Sequence, residues 1–252
     1  MCSEMMSNRT KALFFDIDGT LMSEKTRRVP QSASRALEEA RKKGHLVFIN
    51  TGRVLCHLGE IRSQVEADGY LCGCGTCIVM DGKILYYHHI PRERGIAIKK
   101  DIDACGLDGA LEGRDGIYMH RTPSRIPLVE KLKNDIRHSG APTPYFWEDH
   151  CYDFDKFYIG SDKDSRCREL FGRIKDMEVI DRGNGFYECV PRGHSKATAI
   201  DLVLKRCGIS LDDAYVFGDS GNDLSMFRYG RNCILMGHHS PELEPYATFV
   251  TK

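Results

Sequence analysis

Hydrophobic and polar positions in the first third of the chain fall into blocks that predict strand, helix and strand. The runs "KALFFDI" and "HLVFIN" are almost continuously apolar, which is typical of strands buried on both faces of a parallel sheet. Between them, "QSASRALEEARKKG" carries apolar or small residues at helical spacing and ends on Gly44. The pattern predicts a βαβ unit.

The last quarter of the chain repeats this alternation. The segments "SKATAIDLVLKRCG" and "NDLSMFRYG" have helical spacing, and each precedes a strand-like run, "AYVFGD" and "NCILMG" respectively. Helices that alternate with apolar strands predict a parallel sheet covered on both faces. We therefore expect the two ends of the chain to share one doubly wound α/β sheet.

The middle of the chain follows a different pattern. "CIVMDGKILYY" predicts a hairpin that turns at Asp81-Gly82, and "EVIDRGNGFYECV" predicts another that turns within residues 182–185. Helical spacing recurs at residues 127–138 and 164–175, with the strand-like run "KFYIGS" between them. These elements predict a mixed α+β unit.

The simplest domain organisation is an insertion into a discontinuous core. We expect the α+β unit to cover residues 83–190 and the α/β core to be formed by residues 1–82 and 191–252. A chain of 252 residues is long enough for two domains of ordinary size.

Composition narrows the classes of partner. The 36 basic and 36 acidic side chains cancel, so no overall field favours a nucleic acid or an anionic membrane. The sequence has no apolar run long enough to span a membrane, and its first residues lack the apolar stretch of a signal peptide. Eleven cysteines, several within apolar patterns, are typical of reduced, packed thiols. A cytoplasmic protein is expected.

Polar side chains follow several of the predicted strands. Ligands of a doubly wound sheet gather beyond the carboxyl ends of its strands. The residues expected there, or at the start of the helix that leads to such a strand, are Asp16, Asp18, Thr20, Asn50, Thr51, Gly52, Arg53, Lys196, Asp219, Asn222 and Asp223. Carboxylates, hydroxyls and a lysine suit a phosphate together with a hard cation such as Mg²⁺.

Two carboxylates one residue apart at the end of a buried strand need compensation. Asp16 and Asp18 would be costly to bury without a cation or hydrogen-bond donors. A carboxylate beside Mg²⁺ and Lys196 stays ionised and can attack phosphorus, which would give an aspartyl-phosphate that water then hydrolyses. The second carboxylate can protonate the leaving alcohol and later deprotonate the water.

Four segments carry a family resemblance. "DIDGTL", "NTGR", "GHSKATAI" and "GDSGNDLSM", in this order, resemble the four motifs of the haloacid dehalogenase superfamily of phosphatases. The sequence is most similar to the Cof-type sugar-phosphatase branch, whose large α/β cap is inserted between the second and third motifs. The resemblance implies a Rossmann-like core with an α+β cap.

The resemblance also implies roles for individual residues. Asp16 would be the nucleophile and Asp18 the general acid/base, with Lys196 and Thr51 holding the phosphoryl group. Asp219 would ligate Mg²⁺, together with Asp16, the Asp18 carbonyl and support from Asp223. Gly52 would belong to the phosphate site, Asn222 would contact the phosphate or orient Lys196, and Arg53 would face the substrate.

The sequence departs from the branch pattern at three places. Cys74 stands where an Asn is common, His238 and His239 replace an Asn-Ala pair, and Ala197 replaces a Gly. We expect the first two changes to alter how substrate or loops are held near the mouth of the site.

The expected function is a Mg²⁺-dependent phosphatase that acts on a small phosphorylated metabolite. Sugar phosphates are the first candidates, followed by flavin mononucleotide and pyridoxal phosphate. A phosphotransferase or mutase that uses the same intermediate is an alternative, as is a non-catalytic regulator that binds a phosphometabolite. The sequence indicates neither the substrate nor the oligomeric state.

Overall fold

The computed structural model describes residues 9–23, 25–150 and 153–251. Residues 1–8, on which the expected lack of a signal peptide depends, lie outside the described residues. In the part of the chain that is described, no helix is both long enough and apolar enough to cross a membrane.

An eight-stranded sheet forms the core. Six strands run parallel and a hairpin adds two antiparallel strands at one edge, in the order β13-β12-β11-β1-β2-β3-β4-β5. The strands are β1 (Ala12–Phe15), β2 (Leu46–Asn50), β3 (Gly69–Cys72), β4 (Cys77–Met80), β5 (Lys83–Tyr87), β11 (Ala214–Gly218), β12 (Asn232–Leu235) and β13 (Phe249–Val250). Both ends of the chain contribute to this sheet, so the predicted parallel α/β core is confirmed.

Helices cover both faces of the sheet, which explains why its central strands are apolar throughout. Phe14 packs on one face with α6 (Lys196–Cys207) and α7 (Leu224–Tyr229). Ile17 and Ile49 pack on the other face with α1 (Gln31–Lys42) and α2 (Gly59–Gln64). Successive side chains of a strand point to opposite faces, so a doubly covered strand buries all of them.

The hairpin β4–β5 turns where the sequence predicts. Asp81 and Gly82 have φ of 50° and 71°, the positive values that a two-residue hairpin turn requires. However, β5 pairs with β4 in the large sheet, so residues 83–87 belong with the core rather than with the insertion. The expected boundary at residue 83 therefore cuts this hairpin, and we propose that the insertion begins after Tyr87. The second boundary, between residues 190 and 191, stays a prediction.

The inserted unit, here called the cap, is built on a second sheet of five antiparallel strands in the order β7-β6-β8-β10-β9. The strands are β6 (Asp108–Glu112), β7 (Ile117–Met119), β8 (Lys156–Gly160), β9 (Met177–Asp181) and β10 (Phe186–Pro191). Its helices are α3 (Arg92–Ala104), α4 (Pro127–His138) and α5 (Cys167–Arg173).

Helix α3 was not predicted. Its sequence is polar overall and contains Gly95, which weakens a helical pattern. Gly95 is required by packing, since a Cβ there would lie 2.8 Å from a ring carbon of Phe154. The buried side chains Ile98 and Ile102 then attach the helix to the cap core. This contact with Phe154, far along the chain, overrides the weak local signal.

The cap is docked onto the core. Val54 of the core packs into an apolar cluster with the cap residues Ala110, Ile117 and Met119. The hydroxyl of Tyr87 donates to Asp155 Oδ1 at 2.7 Å near the chain crossing between the two units. The carboxyl ends of the core strands consequently face the cap.

Candidate active site

Asp16 lies at the carboxyl end of β1, where the strand turns away from the sheet. Its backbone N–H still donates to the Phe217 carbonyl at 3.0 Å, and its side chain is almost fully buried. The chain then turns sharply at Gly19, which has φ of 85°. A Cβ on Gly19 would lie 2.4 Å from Asp219 Oδ2, so this glycine permits the β1 turn to contact the loop after β11.

Lys196 opens helix α6, and its ammonium group joins three segments. Its side chain is fully buried, and its Nζ lies 2.7 Å from Asp16 Oδ1 and 2.6 Å from Asp223 Oδ1. Lys196 Nζ also donates to Asn222 Oδ1 at 3.3 Å. Ser195 caps the helix through a capping box with Thr198, which fixes where α6 begins.

Burial and neighbouring charges shift the pKa values of Asp16 and Lys196 in opposite directions. Burial raises the pKa of Asp16 to about 7, while the charge of Lys196 lowers it. Burial lowers the pKa of Lys196, but the charges of Asp16 and Asp223 outweigh that effect and raise this pKa well above its ordinary value. The lysine is therefore a permanent cation beside the Asp16 carboxylate.

Three carboxylates converge at the ends of β1 and β11. One ligand oxygen from each of Asp16, Asp219 and Asp223 lies within 4.8 Å of the others, the one such group among the described residues. Thr20 Oγ1 donates to Asp219 Oδ1 at 2.6 Å, while Asp223 Oδ2 accepts the backbone N–H groups of Asp219 and Ser220 at 2.9 and 3.1 Å. A set of hard oxygens in this arrangement suits a divalent cation.

Asp18 is directed away from this cluster. Its carboxylate accepts two hydrogen bonds from Arg53, at 2.8 Å from Nε and 2.5 Å from Nη2. Although burial raises the pKa of Asp18, the hydrogen bonds and charge of Arg53 lower it below the ordinary value. The expected place of Asp18 among the metal ligands therefore rests on its backbone carbonyl alone.

Residues 51–53, which we call the phosphate loop, follow β2 directly. Thr51 Oγ1 accepts the backbone N–H of Arg53 at 3.1 Å, and the Thr51 carbonyl accepts the N–H of Cys74 at 3.1 Å. Gly52 sits where a Cβ would lie 3.3 Å from Asn222 Nδ2. The structure thus brings the second and fourth sequence motifs together around one loop.

A cavity of about 250 Å³ opens over these groups. Its core wall includes Asp16, Asp18, Thr51, Gly52, Arg53 and Asn222. Its cap wall consists of Glu112, Leu132, Ile136, Tyr158, Arg182 and Phe186, none of which the sequence analysis singled out. The one available signal was the "RGNG" turn, which places Arg182 at the tip of the β9–β10 hairpin.

The cap wall is backed by a buried ionic cluster. Lys156 Nζ lies 2.6 Å from Glu112 Oε2 and 2.8 Å from Glu188 Oε1, and all three side chains are nearly or fully buried. Tyr158 and Phe186 stack with their ring centroids 5.1 Å apart, which adds an apolar surface beside the charges. The cap therefore offers both polar and aromatic contacts to a bound molecule.

The two histidines that depart from the branch pattern do not join the cation cluster. His239 contacts the Met236 carbonyl at 2.6 Å and Glu244 at 3.2 Å. These contacts hold the loop after β12. Cys74, in contrast, is buried directly against the phosphate loop.

Comparison with known proteins gives a consistent match. The family model for haloacid dehalogenase-like hydrolases matches residues 13–252. The chain is 33% identical to 5-amino-6-(5-phospho-D-ribitylamino)uracil phosphatase YwtE of Bacillus subtilis, with 96% of this chain and 93% of the relative covered. It is 25% identical to phosphoglycolate phosphatase of Methanothermobacter thermautotrophicus, with 96% and 91% covered.

Solved structures show the same architecture. The HAD subclass IIB sugar phosphatase BT4131 superposes with a TM-score of 0.81 at 28% identity, over 96% of this chain and 93% of that one. BT1666 of Bacteroides thetaiotaomicron, a phosphatase of the same superfamily, gives a TM-score of 0.82 at 25% identity, over 99% and 92%. The likeness therefore extends over both the core and the cap.

Proposed function

The chain belongs to the haloacid dehalogenase-like hydrolases and is a phosphoric monoester hydrolase, and from that premise we propose its mechanism and substrate class. The proposed reaction is Mg²⁺-dependent hydrolysis of a small phosphomonoester through an aspartyl-phosphate on Asp16. The observation that carries this proposal is the buried Asp16, held 2.7 Å from Lys196 at the floor of the cavity.

The first half-reaction transfers the phosphoryl group to the protein. An Asp16 carboxylate oxygen attacks phosphorus, the bond from phosphorus to the leaving oxygen breaks, and Asp18 donates a proton to that oxygen. In this structure Arg53 pairs with the ionised Asp18 carboxylate and lowers its pKa, so the general-acid role requires this pair to separate and Asp18 to take up a proton when the substrate binds. The alcohol then leaves.

The second half-reaction regenerates the enzyme. Asp18, now ionised, takes a proton from water, whose oxygen attacks the phosphorus of the aspartyl-phosphate. The bond from phosphorus to the Asp16 oxygen breaks, and orthophosphate is released. The docked cap supports both halves because it limits access of bulk water to the site.

The cation would be held by Asp16, Asp219 and the Asp18 backbone carbonyl. Both oxygens of Asp223 already accept hydrogen bonds, so we assign Asp223 to supporting Lys196 and the loop after β11. When bound, Mg²⁺ supplies positive charge to the phosphoryl oxygens and favours the ionised form of Asp16.

The phosphoryl group would lie among Thr51, the phosphate-loop amides, Lys196 and Asn222. Lys196 provides a fixed positive charge, and Asn222 both orients it and reaches towards Gly52. Such preorganised donors stabilise charge that develops on phosphoryl oxygens in the transition state.

The leaving group would occupy the cap side of the cavity. About 250 Å³ accommodates a small molecule, and Glu112, Arg182 and the Tyr158–Phe186 pair suit a polyhydroxylated one. Relatives named for a phosphoribitylamino compound and for sugar phosphates support the same class. We propose that the substrate is a sugar or polyol phosphate and that the protein acts in the cytoplasm.

Phosphotransfer to an alcohol remains the second candidate, since it would use the same aspartyl-phosphate. Hydrolysis is favoured because the named relatives are phosphatases. A purely regulatory binder is disfavoured because Asp16, Asp18, Lys196 and Asp219 are all present.

The test is turnover of para-nitrophenyl phosphate, followed by a panel of sugar, polyol and cofactor phosphates. Activity should require Mg²⁺, disappear with EDTA and return when Mg²⁺ is restored. Asp16→Asn should abolish it, whereas Asp81→Asn, at the exposed β4–β5 turn, should leave it unchanged. Mass spectrometry of acid-quenched enzyme should detect phosphate on Asp16. Full activity in Asp16→Asn would refute the mechanism, and transfer to added alcohols without hydrolysis would favour the phosphotransferase.

A further inference from the structure

Glu188 is a cap residue that reaches the phosphate loop of the core. Its side chain is fully buried, and its Oε1 lies 2.8 Å from Lys156 Nζ in the cap. The same oxygen accepts a hydrogen bond from the thiol of Cys74 in the core at 3.3 Å. A Cβ on Gly52 would lie 3.2 Å from it, so the cap carboxylate rests against the phosphate loop itself.

On the core side, the loop that carries Cys74 holds both ends of the phosphate loop. The N–H of Cys74 donates to the Thr51 carbonyl at 3.1 Å, and the N–H of Gly73 donates to the Arg53 carbonyl at 2.8 Å. Cys74 has φ of 54°, a left-handed conformation that is unusual for a residue other than Gly or Asn. Strain of this kind persists where surrounding contacts fix the backbone, and it clusters at functional sites.

On the cap side, Glu188 has a fixed place. Lys156 is fully buried between Glu188 and Glu112, and its ammonium also lies 3.8 Å from the centroid of the Tyr158 ring. Arg182 Nη1 lies 3.9 Å from the second oxygen of Glu188. A buried carboxylate with such partners keeps its position and its charge.

We propose that Glu188 is a positioning residue through which the docked cap holds the phosphate loop in its binding geometry, with the Cys74 thiol as the joining donor. The inference rests on the proposed function, which assigns residues 51–53 to the phosphoryl group. When the cap moves away, the loop loses this contact and its affinity for a phosphoryl group falls. Cap docking and phosphate binding then favour each other.

Cys74→Ala tests the contact without changing any charge. Alanine keeps the Cβ and thus the backbone strain, and it removes only the thiol. We expect KM for para-nitrophenyl phosphate and the dissociation constant of orthophosphate, measured by calorimetry with Mg²⁺, to rise together about threefold to tenfold. The value of kcat should change less, because Asp16 and Lys196 are untouched. A merely structural role would lower kcat through loss of active enzyme and leave KM unchanged.

Two matched variants sharpen the test. Cys74→Asn should keep KM within about twofold, because Asn tolerates a left-handed backbone and its amide can donate to Glu188. Cys189→Ala removes another fully buried thiol, one that packs in the cap core, and should leave both constants unchanged. If Cys74→Ala behaves like Cys189→Ala, the proposal is wrong.

A double-mutant cycle identifies the partner. In a Glu188→Ala background, Cys74→Ala should have no further effect on the orthophosphate dissociation constant. Equal effects of Cys74→Ala with and without Glu188 would overturn the coupling. If the wild type binds orthophosphate but shows no turnover, the hydrolase mechanism is refuted, and the dissociation constants of the variants still decide whether the contact exists. Absence of orthophosphate binding would refute both the phosphate loop and the inference.

Discussion

Asp155 provides a quantitative test of the junction between cap and core. Its carboxyl group is fully buried immediately before β8, where Oδ1 accepts a hydrogen bond from the Tyr87 hydroxyl at 2.7 Å. No described group donates a hydrogen bond to its second oxygen. Burial raises its pKa from 3.8 to about 7, although the hydrogen bond from Tyr87 lowers it. The ionised form is thus poorly compensated, and Asp155→Asn removes it.

The direction of the pH effect follows from the raised pKa. Between about pH 4 and pH 7 the folded protein binds this proton more strongly than the unfolded chain, so stability falls as pH rises through that window. At about 1.4 kcal/mol per unit, the penalty is about 1.7 kcal/mol at pH 5 and about 4 kcal/mol at pH 8. Asparagine has no such penalty, but its buried amide nitrogen lacks a partner, at a cost of about 1–3 kcal/mol.

The assay is urea unfolding of the wild type and Asp155→Asn at pH 5 and pH 8. The free energy of unfolding of the variant relative to the wild type should rise by about 2.5 kcal/mol between the two pH values, since other titrating groups cancel in the comparison. Asp212→Asn is the control, because that carboxylate is exposed and paired with Arg231 in the core, and its difference from the wild type should not change in this way between the two pH values. The same difference between variant and wild type at both pH values would refute the assignment of a raised pKa to Asp155.

Further predictions concern the site itself. Lys196→Met should lower the free energy of unfolding in a urea titration by about 3–5 kcal/mol, because it leaves Asp16 and Asp223 buried without their shared cation. Lys205→Met breaks an exposed pair with Asp201 and should lower the same free energy by less than about 1 kcal/mol. Gly19→Ala should raise the Mg²⁺ concentration for half-maximal activity, because its Cβ would lie 2.4 Å from Asp219 Oδ2. Gly44→Ala, at φ of 84° with no atom within 4 Å of the new Cβ, should lower the melting temperature and leave the Mg²⁺ dependence unchanged. Arg182→Gln should raise KM for a polyol phosphate more than for para-nitrophenyl phosphate, and equal effects on both would place Arg182 at the phosphoryl group instead.

Much of the core and its site could be predicted from local sequence. Apolar runs such as "LVFIN" specify parallel strands covered on both faces, and polar residues that follow such strands must meet at one edge of the sheet. Asp16, Thr51 and Asp219 lie close together for that reason, and Lys196 joins them because helix α6 begins at the same edge of the sheet. The Asp81-Gly82 turn could be predicted because two consecutive positive φ angles require specific residue types.

Other features depended on contacts between segments that are distant along the chain. Asp18 accepts hydrogen bonds from Arg53, 35 residues away, and Glu188 accepts one from Cys74, 114 residues away. Sequence periodicity does not indicate such pairs, because Asp18 and Arg53 meet through the packing of two core loops, and Glu188 and Cys74 meet through the docking of the cap sheet on the core. The sequence by itself therefore determined the core strands β1, β2, β11 and β12 and the polar residues that follow β1, β2 and β11. Only the tertiary structure decided which cap side chains form the cap wall of the cavity and which of them contacts the phosphate loop, because both depend on how the cap sheet packs against the core sheet.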